Sequence, residues 1–297
     1  MSPSIRLLLQ PEPDTDAGTD LSWLYRAAQA AERGGFDAVL GPLPGPGVPV
    51  EPTTALANLA ARTSRIGLVV PVSAQYVAPY NTARVLATLD NVSGGRAGWR
   101  LIGAAEDSDP ALHAPTTPED ERWDRAAEFV CVLQRLWESW EDGAVVADKE
   151  SGVYVDNSRL HAIDHEGSYF RVAGPLNLPR TPQLHPPLIV RADDPDAAEF
   201  ASRHSDVAIV GPDRGRLAGP AVTVREADSL DVAALAGPVR RGEIDGWLLR
   251  LTATETEHFV DTVLPGLREL GLARRQYQTS TLRGHLGLAA RPVGVLS

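Results

Sequence analysis

The chain has a single cysteine, Cys131, among 297 residues, so it cannot close an internal disulfide. Cys131 falls in an apolar-periodic segment that reads as a helix, where a free cysteine is expected to be packed. No stretch approaches the roughly 18 consecutive apolar residues of a membrane-spanning helix. The N-terminus lacks a basic region followed by an apolar core, which argues against a secretory signal. No Lys/Arg cluster of the kind that tracks a phosphate backbone occurs, and the net charge of −11 is spread along the chain rather than gathered in a tail. These absences argue against membrane and nucleic acid as partners and favour the cytoplasm.

What is present is a repeated pattern. Short apolar runs suited to buried strands fall at 5–10, 36–40, 66–70 and 97–102. Amphipathic segments at 20–34, 52–63 and 79–93 alternate with them. Pro52 and Pro79 stand at first-turn positions, and Ser93-Gly94-Gly95 reads as a helix stop. Successive β-then-α units with short turns imply a parallel sheet whose right-handed crossovers place the helices outside.

The longest predicted helix spans 118–140, with Phe129, Val130, Leu133, Leu136 and Trp137 on one face. Glu119, Asp120, Glu121 and Asp124 at its start suit the positive end of the helix dipole. Residues 144–171 alternate aromatic, β-branched and polar side chains, the pattern of an excursion with short antiparallel strands. A fifth strand is expected at 187–192, a helix at 195–204 and a sixth strand at 206–210. The next strand-like run, 221–225, follows after about ten residues rich in Gly, Pro and Arg, too few for a helical crossover. A helix at 230–241, a strand at 247–251 and a helix at 255–270 complete the set. The expected fold is α/β, a (β/α)8 TIM-barrel-like domain over 1–297, abridged after the sixth strand. It carries an insertion at 144–185 before the fifth strand and a shortened region at 211–245.

Particular residues then point to a family. Thr63-Ser64-Arg65-Ile66-Gly67-Leu68, Tyr76-Val77-Ala78-Pro79-Tyr80-Asn81-Thr82-Ala83-Arg84 and Ala87-Thr88-Leu89-Asp90-Asn91-Val92-Ser93-Gly94-Gly95-Arg96 form the core of the signal. Glu121-Arg122-Trp123-Asp124-Arg125-Ala126-Ala127-Glu128-Phe129, Gly174-Pro175-Leu176-Asn177-Leu178-Pro179-Arg180 and Thr281-Leu282-Arg283-Gly284-His285-Leu286 extend it to the far end. The chain resembles the luciferase-like flavin-dependent monooxygenases, in the branch of the nitrilotriacetate and dibenzothiophene-sulfone monooxygenases. Members of that branch are typically longer, and the missing residues fall between Val210 and Trp247.

The resemblance implies a two-component system. A separate flavin reductase supplies reduced FMN, and the oxygenase acts with it on a small organic substrate. A related deazaflavin chemistry, a homodimer and the absence of a metal are implied in the same way. The family holds its flavin at the C-terminal ends of the barrel strands, and those positions differ here. Gly41-Pro42 stands where an acidic residue is usual, Pro71 replaces a threonine, and Arg100-Leu101-Ile102-Gly103 replaces an Asn-Val-Val-Thr pattern. Trp123 replaces a tyrosine, and Ala192-Asp193-Asp194-Pro195 replaces a small polar turn that cradles the FMN phosphate at a helix N-terminus. Two carboxylates beside a phosphate cost on the order of 1 kcal/mol per pair in water and more where water is scarce.

The candidate cofactor-binding positions are therefore Arg100, Trp123, Arg191, Asp193 and Asp194, and no catalytic residue is assigned. Arg100 and Arg191 are suited to a relocated phosphate contact, or else they pair with Asp193, Asp194 or Glu51 and fill the space of a flavin. The first alternative is a reduced-flavin monooxygenase or related oxidoreductase with an open pocket lined by Arg100, Arg191 and Trp123. The second is a non-catalytic structural or regulatory subunit whose pocket is plugged by side chains and salt bridges, and a third is a binder of another small anion.

Other constellations read as structural. His161, Asp164 and His165 have metal-ligand chemistry, but they lie in the insertion and are expected to serve hydrogen bonding. The prolines of the segment 41–47 remove the N–H donors that a phosphate cradle needs. Trp137 and Trp140 follow the helical period, as core or interface residues do.

Overall fold

The computed structural model describes residues 4–13, 20–43, 50–103, 118 and 121–290. Eight strands form a closed barrel: β1 (Arg6–Pro11), β2 (Ala38–Leu40), β3 (Gly67–Val72), β4 (Ala97–Leu101), β7 (Leu188–Arg191), β8 (Val207–Val210), β9 (Val222–Glu226) and β10 (Gly246–Leu251). Every neighbouring pair is parallel, and β1 closes the ring by pairing with β10. Outside lie α1 (Ser22–Gly34), α2 (Pro52–Ala60), α3 (Pro79–Ser93), α4 (Arg122–Glu138), α5 (Pro195–His204), α6 (Val232–Arg240) and α7 (Ala253–His258), which continues through a π turn into α8 (Leu264–Glu269).

All eight expected strands are present, and the abridgement is confined to a helix. Between β8 and β9 the chain crosses in residues 211–221 without a helix. That crossing is tied down by Arg214, which donates to the Ala192 carbonyl, and by the Leu217 N–H, which donates to the Thr223 hydroxyl. The insertion before β7 contains the two-stranded antiparallel ribbon β5 (His165–Glu166) and β6 (Arg171–Val172). Glu128 of α4 clamps this ribbon by accepting the N–H groups of Tyr169 and Phe170 and pairing with His165. His161 pairs instead with Glu141, so the two histidines turn to separate carboxylates. Trp137 and Trp140 donate their indole N–H groups to the carbonyls of Ala83 and Leu176.

The barrel interior is filled by Leu8, Leu40, Val69, Ile189, Ile209, Val224 and Leu248. A short helix, α9 (Leu282–Leu286), contributes Leu282 and Leu286 to the same cluster. A Cβ on Gly67 would lie 2.5 Å from a Leu282 methyl, so the absence of a side chain at the start of β3 makes room for this plug. The expectation that Cys131 is packed is corrected: it sits on α4 but is exposed. The buried stripe of that helix runs through Ala126, Phe129, Val130, Leu133, Leu136 and Trp137, and the helical period turns position 131 outward. Glu119, Asp120 and residues 44–47 of the proline-rich segment lie outside the described residues. Among the described residues no helix is long and apolar enough to cross a membrane.

Candidate functional site

In a parallel αβ-barrel the loops after the strands converge at the C-terminal end, which is where such folds carry their chemistry. Alternation along each strand carries the lining face of Leu8, Val69, Ile189, Val224 and Leu248 onward to Gln10, Pro71, Arg191, Glu226 and Arg250. Arg100 follows Gly98 in the same way. The top layer of the barrel is thus polar, and its charges are already paired.

Arg191 donates to Asp193 at 2.6 Å and to Glu226 at 2.5 Å. Burial works against its charge, but the hydrogen bonds to Glu226 and Asp193 hold its pKa above the ordinary value. Glu226 also faces Arg250 at 3.7 Å, and Arg250 reaches Glu12 at 2.6 Å. The result is a chain of alternating charges, Asp193, Arg191, Glu226, Arg250 and Glu12, across the barrel mouth. Arg100 is buried, with Gln10 at 3.5 Å.

The start of α5 is closed in a second way. Asp194 is its N-cap and accepts the Ala197 N–H at 2.8 Å, and Pro195 at the first helical position has no N–H. Asp196 adds a third acid in the first turn, and Arg122 approaches Asp194 at 3.6 Å. Trp123 packs against Phe200 of α5, with ring centroids 4.9 Å apart. Its indole N–H is buried with no hydrogen-bond partner among the described residues. At the β2 exit a Cβ on Gly41 would lie 3.0 Å from Pro71 Cδ and 3.0 Å from a Leu56 methyl, so an acidic side chain has no room there.

Of the five expected site residues, Arg191 and Asp193 come together directly, Asp194 and Trp123 flank the α4–α5 junction, and Arg100 stands apart beside Gln10. Glu51 does not pair with an arginine here; it caps α2 through the N–H groups of Thr53 and Thr54. Glu226, Arg250 and Arg122 were not among the expected residues. Alternation from Val222 through Val224 carries a signal for Glu226, provided the strand is extended one residue past 221–225.

An eight-stranded parallel barrel with its charged groups at the strand C-termini defines the αβ-barrel class of enzyme scaffolds. Within that class the sequence profile of the luciferase-like monooxygenases matches residues 1–238, and the chain belongs to that family. It is 36% identical over 216 residues to dibenzothiophene-sulfone monooxygenase of Rhodococcus erythropolis, covering 65% of this chain and 48% of that protein. It is 34% identical over 285 residues to the smaller-barrel relative from Streptomyces pristinaespiralis, one of the chains of pristinamycin IIA synthase, covering 91% of this chain and 90% of that one. The chain thus spans about half the length of dibenzothiophene-sulfone monooxygenase and nearly all of the synthase chain. Among solved structures, a long-chain alkane monooxygenase superposes with a TM-score of 0.84 at 22% identity, covering 97% of this chain and 96% of that one, which establishes the shared fold.

The family uses FMN, and the residues present do not fit its phosphate at the start of α5. A dianion there meets Asp193, Asp194 and Asp196, the Ala197 N–H is already taken, and Arg191 is neutralised twice over.

Proposed function

We propose that this chain takes part in reduced-flavin-dependent oxygenation of a small organic substrate as the flavin-free member of a two-chain enzyme. Its partner is a longer luciferase-like barrel that keeps an FMN site, and a flavin reductase supplies that site. The observation that carries this reading is the Asp194 carboxylate seated on the N-terminus of α5, where the family holds a phosphate. The ion-pair chain from Asp193 to Glu12 supports it by filling the barrel mouth with the protein's own charges. So does the pristinamycin IIA synthase chain that this protein matches nearly end to end, because that synthase is built from more than one kind of chain. Its other matching chain is 34% identical to this protein over 159 residues, which cover 33% of that chain. The outward face of α2 and α3 offers a surface for such a pairing, with Ala57, Val85, Thr88 and Val92 exposed and Arg84 the cation among them.

The second reading is a self-sufficient oxidoreductase, a homodimer that binds reduced FMN or a deazaflavin through a relocated anion contact. The observation that favours it is the presence of three guanidinium groups, those of Arg100, Arg191 and Arg250, in one layer of the barrel. The two readings separate on stoichiometry. Co-expressed with a full-length luciferase-like chain from the same source, the protein is expected to co-purify as a pair that binds one FMN per two chains. One FMN per chain, or a flavin-loaded homodimer of this chain alone, would establish the second reading instead.

A further inference from the structure

Outside the barrel, a cleft of about 710 Å³ opens between the first turns of α3 and α4 and the β5–β6 ribbon. Its volume lies in the range of small-molecule sites. Tyr76, Tyr80, Tyr169 and Phe170 supply aromatic surface to its wall, and Arg125 and Arg171 supply two cations. No Asp or Glu is part of its lining among the described residues, in a chain whose net charge is −11.

The two cations differ in their engagements. Arg125 donates Nε to the Ala74 carbonyl at 3.1 Å and lies 4.3 Å over the Phe170 ring. Arg171 is exposed and makes no hydrogen bond or ion pair among the described residues. Glu128, whose charge acts on Arg125, is occupied by His165 and the N–H groups of Tyr169 and Phe170. Glu121, at the rim, accepts the Tyr169 hydroxyl. Arg125 is thus fixed in orientation with its terminal nitrogens unspent on carboxylates, and Arg171 is a second donor on the neighbouring ribbon.

We infer that this cleft binds a small aromatic anion, an aryl carboxylate or sulfonate, with its ring against Tyr76 and Tyr80 and its acid group held by Arg125 and Arg171. A guanidinium grips a planar or tripodal oxyanion through paired N–H groups, and the tyrosine faces give the ring an apolar seat with wet edges. The site shares no residue with the ion-pair chain at the barrel mouth and is independent of whether that mouth holds a flavin.

The test is isothermal titration calorimetry of the full chain at pH 7 with naphthalene-2-sulfonate, neutral 2-naphthol and inorganic sulfate. The sulfonate is expected to bind at least about tenfold more tightly than either comparison compound, since only it engages both ring and cations. Arg171→Ala, at an exposed position that the fold does not use, is expected to weaken the sulfonate about tenfold and leave 2-naphthol unchanged. Tyr80→Ala is expected to weaken both aromatic compounds, and Arg191→Ala, at the barrel mouth, neither. Equal affinity for sulfonate and 2-naphthol, an unchanged affinity in Arg171→Ala, a loss in Arg191→Ala, or no binding up to millimolar sulfonate would each overturn the assignment. The experiment uses no flavin, so its failure is distinguishable from failure of the two-chain reading.

Discussion

The Ala197 N–H donates to the Asp194 carboxylate at 2.8 Å, so the positive end of α5 is already neutralised from within the chain. A helix N-terminus is an anion site because its first N–H groups lack intrahelical partners. Here the cap residue takes one of them, Pro195 removes another, and the acids on either side repel an external anion.

Replacing both acids with serine tests this directly. Serine is a comparable N-cap, so Asp193→Ser with Asp194→Ser is expected to change stability by no more than about 1 kcal/mol. The same variant removes two like charges from beside the helix end and is expected to gain measurable affinity for inorganic phosphate and FMN. Thermal unfolding and equilibrium dialysis read the two effects separately. A variant that folds normally and still ignores phosphate would show that the acids are not what closes the site.

Glu226 is the shared counter-ion of Arg191 and Arg250. Glu226→Gln keeps the hydrogen-bonding shape and removes the charge, so the two guanidiniums lose their common partner. The pairs are partly exposed, and a modest stability loss of about 1 kcal/mol is expected in low salt. Sulfate should restore more of the thermal midpoint in this variant than it adds to the wild type. Equal responses to sulfate in both proteins would count against an electrostatic plug.

His285 is buried beneath the barrel, where its ring faces Thr279 at 2.8 Å and the Arg65 carbonyl at 2.7 Å. Nε2–H donates to that carbonyl, which leaves Nδ1 to accept the threonine hydroxyl. Burial pushes its pKa down from 6.5 to about 4, against the opposing hydrogen bond to Arg65. The folded state therefore binds fewer protons than the unfolded state between these values. Stability is full above about pH 6.5 and falls as pH drops towards 4, by up to about 3 kcal/mol from this group. Urea unfolding of wild type and His285→Gln across that range should show a flatter pH dependence in the variant. Parallel curves would mean that His285 does not carry the effect.

Glu128 ties the inserted ribbon to α4 by accepting two backbone N–H groups. Glu128→Ala leaves those N–H groups without their acceptor, at a cost of about 1–3 kcal/mol. Hydrogen exchange at the amides of Tyr169 and Phe170 should accelerate well beyond any change in the barrel strands. Uniform acceleration throughout would show that the ribbon and the barrel open as one unit.

The barrel was legible in the sequence because buried parallel strands are short apolar runs, and each one from 5–10 to 247–251 stands between helical periods. The lost helix was legible as well, since the ten-residue spacer before β9 is too short for a helical crossover. The plug α9 was not, because five residues carry no periodicity and Leu282 acquires its meaning only from the space above Gly67. At the mouth, the local pair Arg191 and Asp193 could be anticipated from their spacing. Arg191 with Glu226 and Arg122 with Asp194 are partners only because the barrel brings distant strand and helix ends together. Cys131 shows the converse: its apolar neighbours suggested burial, and the helical phase placed it outside.

The closed anion site at α5 is the central claim, and oxidised FMN reports on it without any knowledge of substrate or partner. Titrating the purified chain alone while following flavin fluorescence is predicted to give no saturable quenching up to about 1 mM FMN. Saturable micromolar binding at one FMN per chain, abolished by Arg191→Ala, would contradict it.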